Sequence, residues 1–401
     1  PQAPRDNARA IVVLSPSAEV PPELQGHATV VDIPLPDRAE IADLLDAAVA
    51  ALPEELRASA VNGNRDAAID AAVGLSAEEA QSTFARSLIL TRTIDPAAIA
   101  QEKRRVISKE RVLEWCDPLP AGLAGVGGLE NLKAWLGQRR SAFGPRARAY
   151  GVRPPKGALL VGVPGCGKSL CAKAIAAAWG MPLLRLDLGA LKSKWVGESE
   201  GNIRRALAVA ETVAPAVLWI DELEKALGGA TQGAADGGVS TDALGAVLSW
   251  MQDRAGSVFT IATANDVTKL PPELLRKGRF DEVFFVDLPT ATERVAILRT
   301  ALREYARDPV TIDLQAVATA APDFSGAELA ALVPDALFAA FADGERAITT
   351  ADLVQAAGAT VPLARTAGDK LTALRQWAQG RARPASPPEV TTPVDGARAL
   401  D

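Results

Sequence analysis

The sequence predicts an α/β fold: a parallel sheet with flanking helices, a helical lid behind it, and a worn half-copy of a similar module in front. Three observations carry this expectation. An apolar run, Ala158-Leu159-Leu160-Val161, passes through a Gly-rich octad into a helix-like stretch, Leu170 to Ala176. A second apolar run, Ala216 to Ile220, ends in Asp221-Glu222. A pattern of apolar run, Pro-Pro-Glu-Leu turn, apolar run and Leu-Pro occurs twice, over about 10–36 and again over about 259–289. Strands buried on both faces read as near-continuous apolar runs, and their alternation with helical segments favours parallel pairing through crossovers.

The octad is Gly162-Val163-Pro164-Gly165-Cys166-Gly167-Lys168-Ser169. Its glycines let the backbone turn N–H groups inward around phosphates, and the helix start adds positive dipole character. Lys168 is expected to reach the β- and γ-phosphates of ATP, and the Ser169 hydroxyl to ligate Mg²⁺. Leu170 follows in the same cradle. At the end of the second run, Asp221 is placed to hold the Mg²⁺, mostly through water, and Glu222 to polarise the attacking water as general base. A third run, Val258 to Ala264, delivers Asn265, which could orient that water, although Asn is also a common turn residue after strands. Then comes Leu270 to Asp281, where Arg276 and Arg279 bracket Lys277-Gly278. A guanidinium presented to a neighbour's γ-phosphate stabilises transition-state charge, and a solvated basic turn fits the same residues.

In this order, from about Leu119 to Gly358, the parts resemble the AAA+ P-loop ATPases, specifically their classical clade. The resemblance implies an ATPase, with ATP and Mg²⁺ between an α/β subdomain and a helical lid. It makes Asp221 and Glu222 the Walker B pair, Asn265 sensor 1, and Arg276 and Arg279 the arginine fingers of a homo-oligomer, a hexameric ring. Val126-Gly127-Gly128-Leu129 resembles the family's adenine-contacting segment, so Val126 and Gly127 join the expected nucleotide site. Phe324-Ser325-Gly326-Ala327-Glu328-Leu329 resembles the start of the lid helix, adding Gly326 and Ala327. Ala327 stands there without an arginine, so no sensor-2 arginine is expected.

Lys192-Ser193-Lys194-Trp195-Val196-Gly197-Glu198 resembles the first pore loop of protein unfoldases and remodellers. It assigns Lys194, Trp195 and Val196 to gripping a protein substrate, while a packed tryptophan is the plain alternative. Gly228 to Gly238 sits where that family has a second pore loop, and also reads as a flexible linker. A finer resemblance is to the plastid-reading-frame group of AAA proteins. It rests on Leu113-Glu114-Trp115-Cys116, Gly128 to Leu136, Met181 to Asp187 and Leu371 to Ala378. Trp195 departs from that group, in which the pore position is often aliphatic. A nucleic-acid motor or loader, and a non-threading ATP-dependent switch, are the rival uses of the same ATPase.

The front segment echoes the rear of the ATPase. Ala10 to Ser15, Pro21-Pro22-Glu23-Leu24, Ala28 to Ile33, Leu35-Pro36 and Glu40 correspond in order to Phe259 to Ala264, Pro271-Pro272-Glu273-Leu274, Glu282 to Asp287, Leu288-Pro289 and Glu293. Gly74-Leu75-Ser76-Ala77-Glu78-Glu79 echoes Phe324 to Glu328. Such self-similarity changes the domain count. Gln25-Gly26-His27 replaces the arginine stretch and no phosphate loop precedes it, so this copy is expected to be a degenerate AAA-like half-module unable to hydrolyse ATP, with two strands and a lid-like helical part. Its missing upstream half is expected to lie outside this chain.

The expected organisation is therefore 1–110 for the half-module, 118–289 for the α/β ATPase subdomain, 290–380 for the lid and C-terminal helix, and 381–401 as a disordered tail opening on Arg383-Pro384-Ala385-Ser386-Pro387-Pro388. The 401 residues carry a net charge of −6, which argues against a global nucleic-acid-binding field and leaves nucleic acid a lesser possibility through local Arg clusters. Three cysteines without paired spacing and a single histidine make a zinc site improbable and fit a reducing cytoplasm. No apolar stretch is long enough for a bilayer, and no signal-peptide pattern opens the chain.

Overall fold

The computed structural model describes residues 11–13, 22–24, 26–29, 31, 35–61, 63–107, 113–188, 199–227, 239–254, 257–276 and 278–388. The front segment folds as helices: α1 (Arg38–Ala50), α2 (Glu54–Val61), α3 (Arg65–Ala72), α4 (Ala77–Thr91) and α5 (Pro96–Ile107). The α/β region follows with β1 (Leu113–Cys116), α6 (Glu130–Arg139), α7 (Pro145–Tyr150), β2 (Gly157–Gly162), α8 (Lys168–Trp179), β3 (Leu183–Leu186), α9 (Ser199–Thr212), β4 (Ala216–Ile220), α10 (Leu223–Leu227), α11 (Val239–Asp253), β5 (Val258–Ala264) and β6 (Glu282–Val286). The lid comprises α12 (Ala291–Glu304), α13 (Leu314–Ala320), α14 (Gly326–Ala342) and α15 (Thr350–Ala359). Two C-terminal helices, α16 (Leu363–Thr366) and α17 (Gly368–Ala378), lead to a short strand, β7 (Arg383–Pro384).

One seven-stranded sheet has the order β1-β3-β4-β5-β2-β6-β7. Every pairing is parallel except β1 with β3. All residues of β2, β4 and β5 are buried, as their unbroken apolar runs require. Apolar cores fill both faces of the sheet. Phe259 and Phe284 stack around Trp135 on one face, and Leu159, Leu218 and Ile220 pack against α9 and α11 on the other. The order places β5 between the phosphate-loop strand β2 and the acid-bearing strand β4. Because the strands run parallel, all three deliver their C-terminal residues to one edge, which is where ligands settle in such sheets.

The front and lid helices pack in the same pattern. α12 touches α13 and α14, and α15 touches α13 and α14; α1 touches α3 and α4, and α5 touches α3 and α4. α2 is an addition of the front copy. Both Pro-Pro-Glu-Leu segments form 3₁₀ turns, Pro22–Leu24 and Pro272–Leu275.

The two strands expected in the front segment fall half on residues outside the described ones; of those described, Ile11, Val12, Val13, Ala28, Thr29 and Val31 are in no strand. One expectation fails. The tail expected to be disordered from 381 is instead docked through residue 386. Arg383–Pro384 pairs with β6, the Ala385 N–H donates to Phe285 O (2.9 Å), and Ala385 is fully buried. Composition suggested solvation, but a free edge of β6 supplies the partner that the segment's backbone needs. Residues 389–401 lie outside the described residues, as do Lys194, Trp195, Val196 and the Gly228–Gly238 loop. Among the described residues, no helix is long and apolar enough to cross a membrane.

Candidate functional site

Beyond β2 the chain turns through Gly165 (φ 76°) and Gly167 (φ 87°), conformations that L side chains rarely adopt, and enters α8 directly. The turn leaves Lys168 buried. Its ammonium donates to Gly162 O (2.9 Å) and Val163 O (2.7 Å), and burial pushes its pKa down to about 8. A buried cation held by carbonyls is poised for an anion.

The Ser169 hydroxyl donates to Asp221 Oδ1 (2.9 Å), which also accepts from Thr263 Oγ1 (2.7 Å). Asp221 Oδ2 faces the Arg185 guanidinium at 3.9 Å. The next residue, Glu222, has φ 48°, a left-handed conformation costly for a side-chain-bearing residue, and its N–H donates to Thr263 Oγ1 (3.0 Å). That kink swings Glu222 out of line with β4. Its Oε1 accepts from Asn265 Nδ2 (3.3 Å), and its Oε2 pairs with Lys225 Nζ (2.5 Å).

The lid closes the other side. Ala327 N–H donates to Gly165 O (2.8 Å), and a Cβ on Gly165 would stand 3.0 Å from Ser325 Oγ. Gly127 and Gly128 press so closely on Ile297 and Glu293 of α12 that a Cβ at either would clash at 2.6 and 2.3 Å. Glu293 accepts the buried Leu129 N–H (2.7 Å) with the same Oε1 that accepts the Ser386 hydroxyl (2.6 Å).

Between these elements lies a cavity of about 610 Å³, within the range of small-molecule sites. Val126, Gly127, Pro164, Gly165, Cys166, Gly167, Lys168, Ser169, Leu170, Asp221, Glu222, Asn265, Gly326 and Ala327 all line it. Of the expected site residues, Gly162 and Val163 stand just behind, contributing the carbonyls that hold Lys168. Cys166 is buried and its thiol is pushed up to about 11, the behaviour of a small packing residue.

Sequence reasoning missed Thr263, Glu224 and a lid face made of Ile297, Thr300, Ala301 and Glu304. The last group recurs at i, i+3, i+4 and i+7, a helix-face spacing that was readable. Thr263 carried no signal beyond lying two residues before Asn265.

Arg276 and Arg279 do not line this cavity. They precede β6, whose first residue Glu282 pairs with Ala158 at the start of β2, and Lys156 Nζ donates to Gly278 O (2.8 Å). The phosphate loop leaves the other end of β2. Five steps at ~3.3 Å separate the two ends of β2 by roughly 16 Å.

Comparison with known proteins agrees with this geometry. Residues 158–288 match the model of the ATPase family associated with various cellular activities (AAA), and residues 39–110 match the SpoVK-like AAA ATPase, second domain. The AAA domain-containing protein ycf46 of Guillardia theta is 37% identical over 387 residues, covering 95% of this chain and 75% of that protein. That of Trieres chinensis is 37% identical over 383 residues, covering 94% and 76%. The ATP-dependent zinc metalloprotease FtsH of Acidothermus cellulolyticus is 38% identical over 213 residues, 52% of this chain and 32% of its own length. Among solved structures, the FIGL-1 AAA domain superposes with a TM-score of 0.57 at 24% identity, covering 70% of this chain and 96% of that one, which supports the fold. With a phosphate loop, an acidic strand end and a capping lid assembled on an AAA sheet, and with relatives matched along nearly its whole length, the chain belongs to the AAA ATPase family, in the group of the plastid ycf46 proteins.

Proposed function

We propose that this chain is an ATP-hydrolysing AAA+ subunit of a ring, hexameric by family habit, that remodels or threads a protein substrate. The observation that carries the reading is a separation. The cation, hydroxyl, paired acids and amide converge on one cavity that neither Arg276 nor Arg279 lines. A site that its own arginines do not enter is completed by a neighbour's.

Lys168 binds and orients the β- and γ-phosphates, and the N–H groups of the loop and the first turn of α8 surround them. Ser169 and Asp221, already 2.9 Å apart, offer the hydroxyl and carboxylate oxygens that suit Mg²⁺. Mg²⁺ when bound neutralises charge on the phosphate oxygens. Glu222 takes the proton of the attacking water, and Asn265 orients Glu222 and that water. Both Glu222 oxygens already have a partner within the chain, Asn265 on Oε1 and Lys225 on Oε2, and each keeps a second lone pair for the water's hydrogen. The neighbour's Arg276 or Arg279 then stabilises developing charge. Gly127, Ile297 and Ala301 enclose the nucleoside, so closure of the lid reports the nucleotide state. The reading of Trp195 as the substrate-gripping aromatic, flanked by Lys194 and Val196, rests on its sequence setting, and the domain limits of 1–110, 118–289 and 290–380 are proposed with it.

The test mixes two inactive variants. Lys168→Ala cannot hold ATP but keeps its arginines; Arg276→Ala with Arg279→Ala holds ATP but supplies no cation. Each alone is expected to fall at least a hundredfold in kcat, and the mixture to recover a measurable rate. A double-arginine variant hydrolysing at the wild-type rate would reject the shared site. Glu222→Gln should bind ATP with negligible turnover, and Trp195→Ala should abolish substrate processing.

A further inference from the structure

We infer that Glu224 is a positioning residue for hydrolysis, holding the sensor asparagine in line with the general base. α10 opens one residue after Glu222, and its first turn is anchored by Leu223, which is almost wholly buried in the core. Glu224 follows and is itself only 4% exposed. Its Oε1 accepts the backbone N–H of Asn265 (3.0 Å), the first residue beyond β5. Its Oε2 is buried with no hydrogen-bond partner in the protein. Burial raises the pKa of this carboxyl above the usual range, and the neighbouring Glu222 raises it further.

A carboxyl in this position is not explained by stability. No cation pairs with it at hydrogen-bond distance among the described residues, one of its oxygens is orphaned, and an apolar side chain would cost less to bury. What it does accomplish is geometric. β4 and β5 are adjacent strands, but β5 stops at Ala264 and nothing in the ladder fixes the backbone beyond it. Glu224 reaches across from the segment that follows β4 and fastens the first free N–H of Asn265. The same Asn265 donates its amide to Glu222 Oε1 at 3.3 Å. A chain of contacts thus runs from Glu224 to the Asn265 backbone, to the Asn265 amide and to the base. Catalytic hydrogen bonds of this length tighten in the reacting complex, and misplacement by about 1 Å costs about a hundredfold in rate. Thr263 fastens Asp221 and the Glu222 N–H from within β5, so Glu224 supplies the matching restraint outside it.

The inference rests on the reading of Glu222 and Asn265 as hydrolytic groups, and the experiment separates the two. In the full chain, Glu224→Met fills the volume without an acceptor, and Glu224→Gln restores one. Glu224→Met is expected to lower kcat by tenfold or more while the Kd for ATP changes by less than about threefold. Glu224→Gln is expected to stay within about threefold of wild-type kcat. The double variant Glu224→Met with Asn265→Ala should be no slower than Asn265→Ala alone, because one acts through the other. Wild-type kcat in Glu224→Met, parallel loss of ATP binding, or multiplying effects in the double variant would overturn the inference. If Glu224→Met does not fold, Glu224→Gln decides: a loss of more than tenfold in kcat rejects the role. Glu222→Gln is measured alongside. Turnover there sinks the reading of the base itself, whereas a dead Glu222→Gln beside an unimpaired Glu224→Met sinks only the role of Glu224.

Discussion

The front helices and the lid helices begin with the same local chemistry and end in different places. α1 opens on a capping box, Asp37 with Glu40, and α12 on another, Thr290 with Glu293; α4 opens on Ser76 with Glu79, and α14 on Ser325 with Glu328. In each box the glutamate Oε2 accepts the N-cap N–H at 2.7–2.9 Å. In the lid the second oxygen also works: Glu293 Oε1 reaches Leu129 N–H and Ser386, and Glu328 Oε1 reaches Leu363 N–H (2.7 Å). Glu293 is buried, whereas Glu40 is exposed. The packing pattern persists in both copies. The front unit also has a dock: Gly74 stands against the carbonyl of Thr212, at the end of α9 in the ATPase region.

That dock provides the largest expected effect. A Cβ on Gly74 would lie 1.7 Å from Thr212 O, at a φ of 93°. Gly74→Ala is therefore expected to destabilise by several kcal/mol, through strain and lost contact between front unit and ATPase region. Gly63→Ala, with φ 73° and open space around it, should cost only about 1 kcal/mol. Thermal denaturation of the two variants checks the contrast, and equal losses would mean that Gly74 is not a packing contact.

Next come the caps. Glu293→Ala removes a cap and strands the buried Leu129 N–H, an expected loss of about 2–4 kcal/mol, accompanied by weaker ATP binding. Glu40→Ala removes only an exposed cap, about 0.5–1 kcal/mol, with ATP affinity unchanged. Urea unfolding and nucleotide titration read both, and an affinity change in Glu40→Ala would break the distinction between the copies.

The two regions each bury a lysine, Lys168 and Lys103, and burial pushes both down to about 8. Lys103 donates to Val73 O in the front unit. In the unfolded chain each titrates near 10.5. Between pH 8 and 10.5 the unfolded state therefore binds more protons, and each lysine makes stability rise with pH across that window. Only Lys168 is to meet phosphate. ATP binding at pH 8–9 should take up a proton, measured by calorimetry in buffers of different ionisation enthalpy. Lys103→Met should leave that uptake intact, and its loss would reassign the proton.

The smallest effect belongs to the C-terminal strand. Ser386→Ala should cost about 1 kcal/mol, since Glu293 keeps its other partners. Nucleotide affinity should change by less than threefold, and a larger change would make the strap part of the lid's control.

Much of the site was legible because its residues are consecutive. The phosphate loop needs glycines at set positions before a lysine, and Asp221-Glu222 needs only a strand end. Asn265, Gly326 and Ala327 line the same cavity. Thr263 and Glu224 were not legible, because a hydroxyl in an apolar strand and an acid on a short helix acquire their partners only when β4 and β5 lie side by side. The tail misled for the same reason: Arg383 to Ser386 looks solvated until the edge of β6 is exposed to it.

Local chemistry, then, settled what the chain could read from its own neighbours: phosphate-loop conformation, capping boxes, buried strands and the repeat of the lid pattern. Long-range packing decided the rest. Strand order set which acids share a cavity, the path of the chain between β5 and β6 kept Arg276 and Arg279 out of its lining, and burial turned Lys168 and Glu224 into perturbed groups. Backbone propensities and turn chemistry act over a few residues, whereas desolvation and alignment between strands depend on contacts made across tens or hundreds of residues of chain.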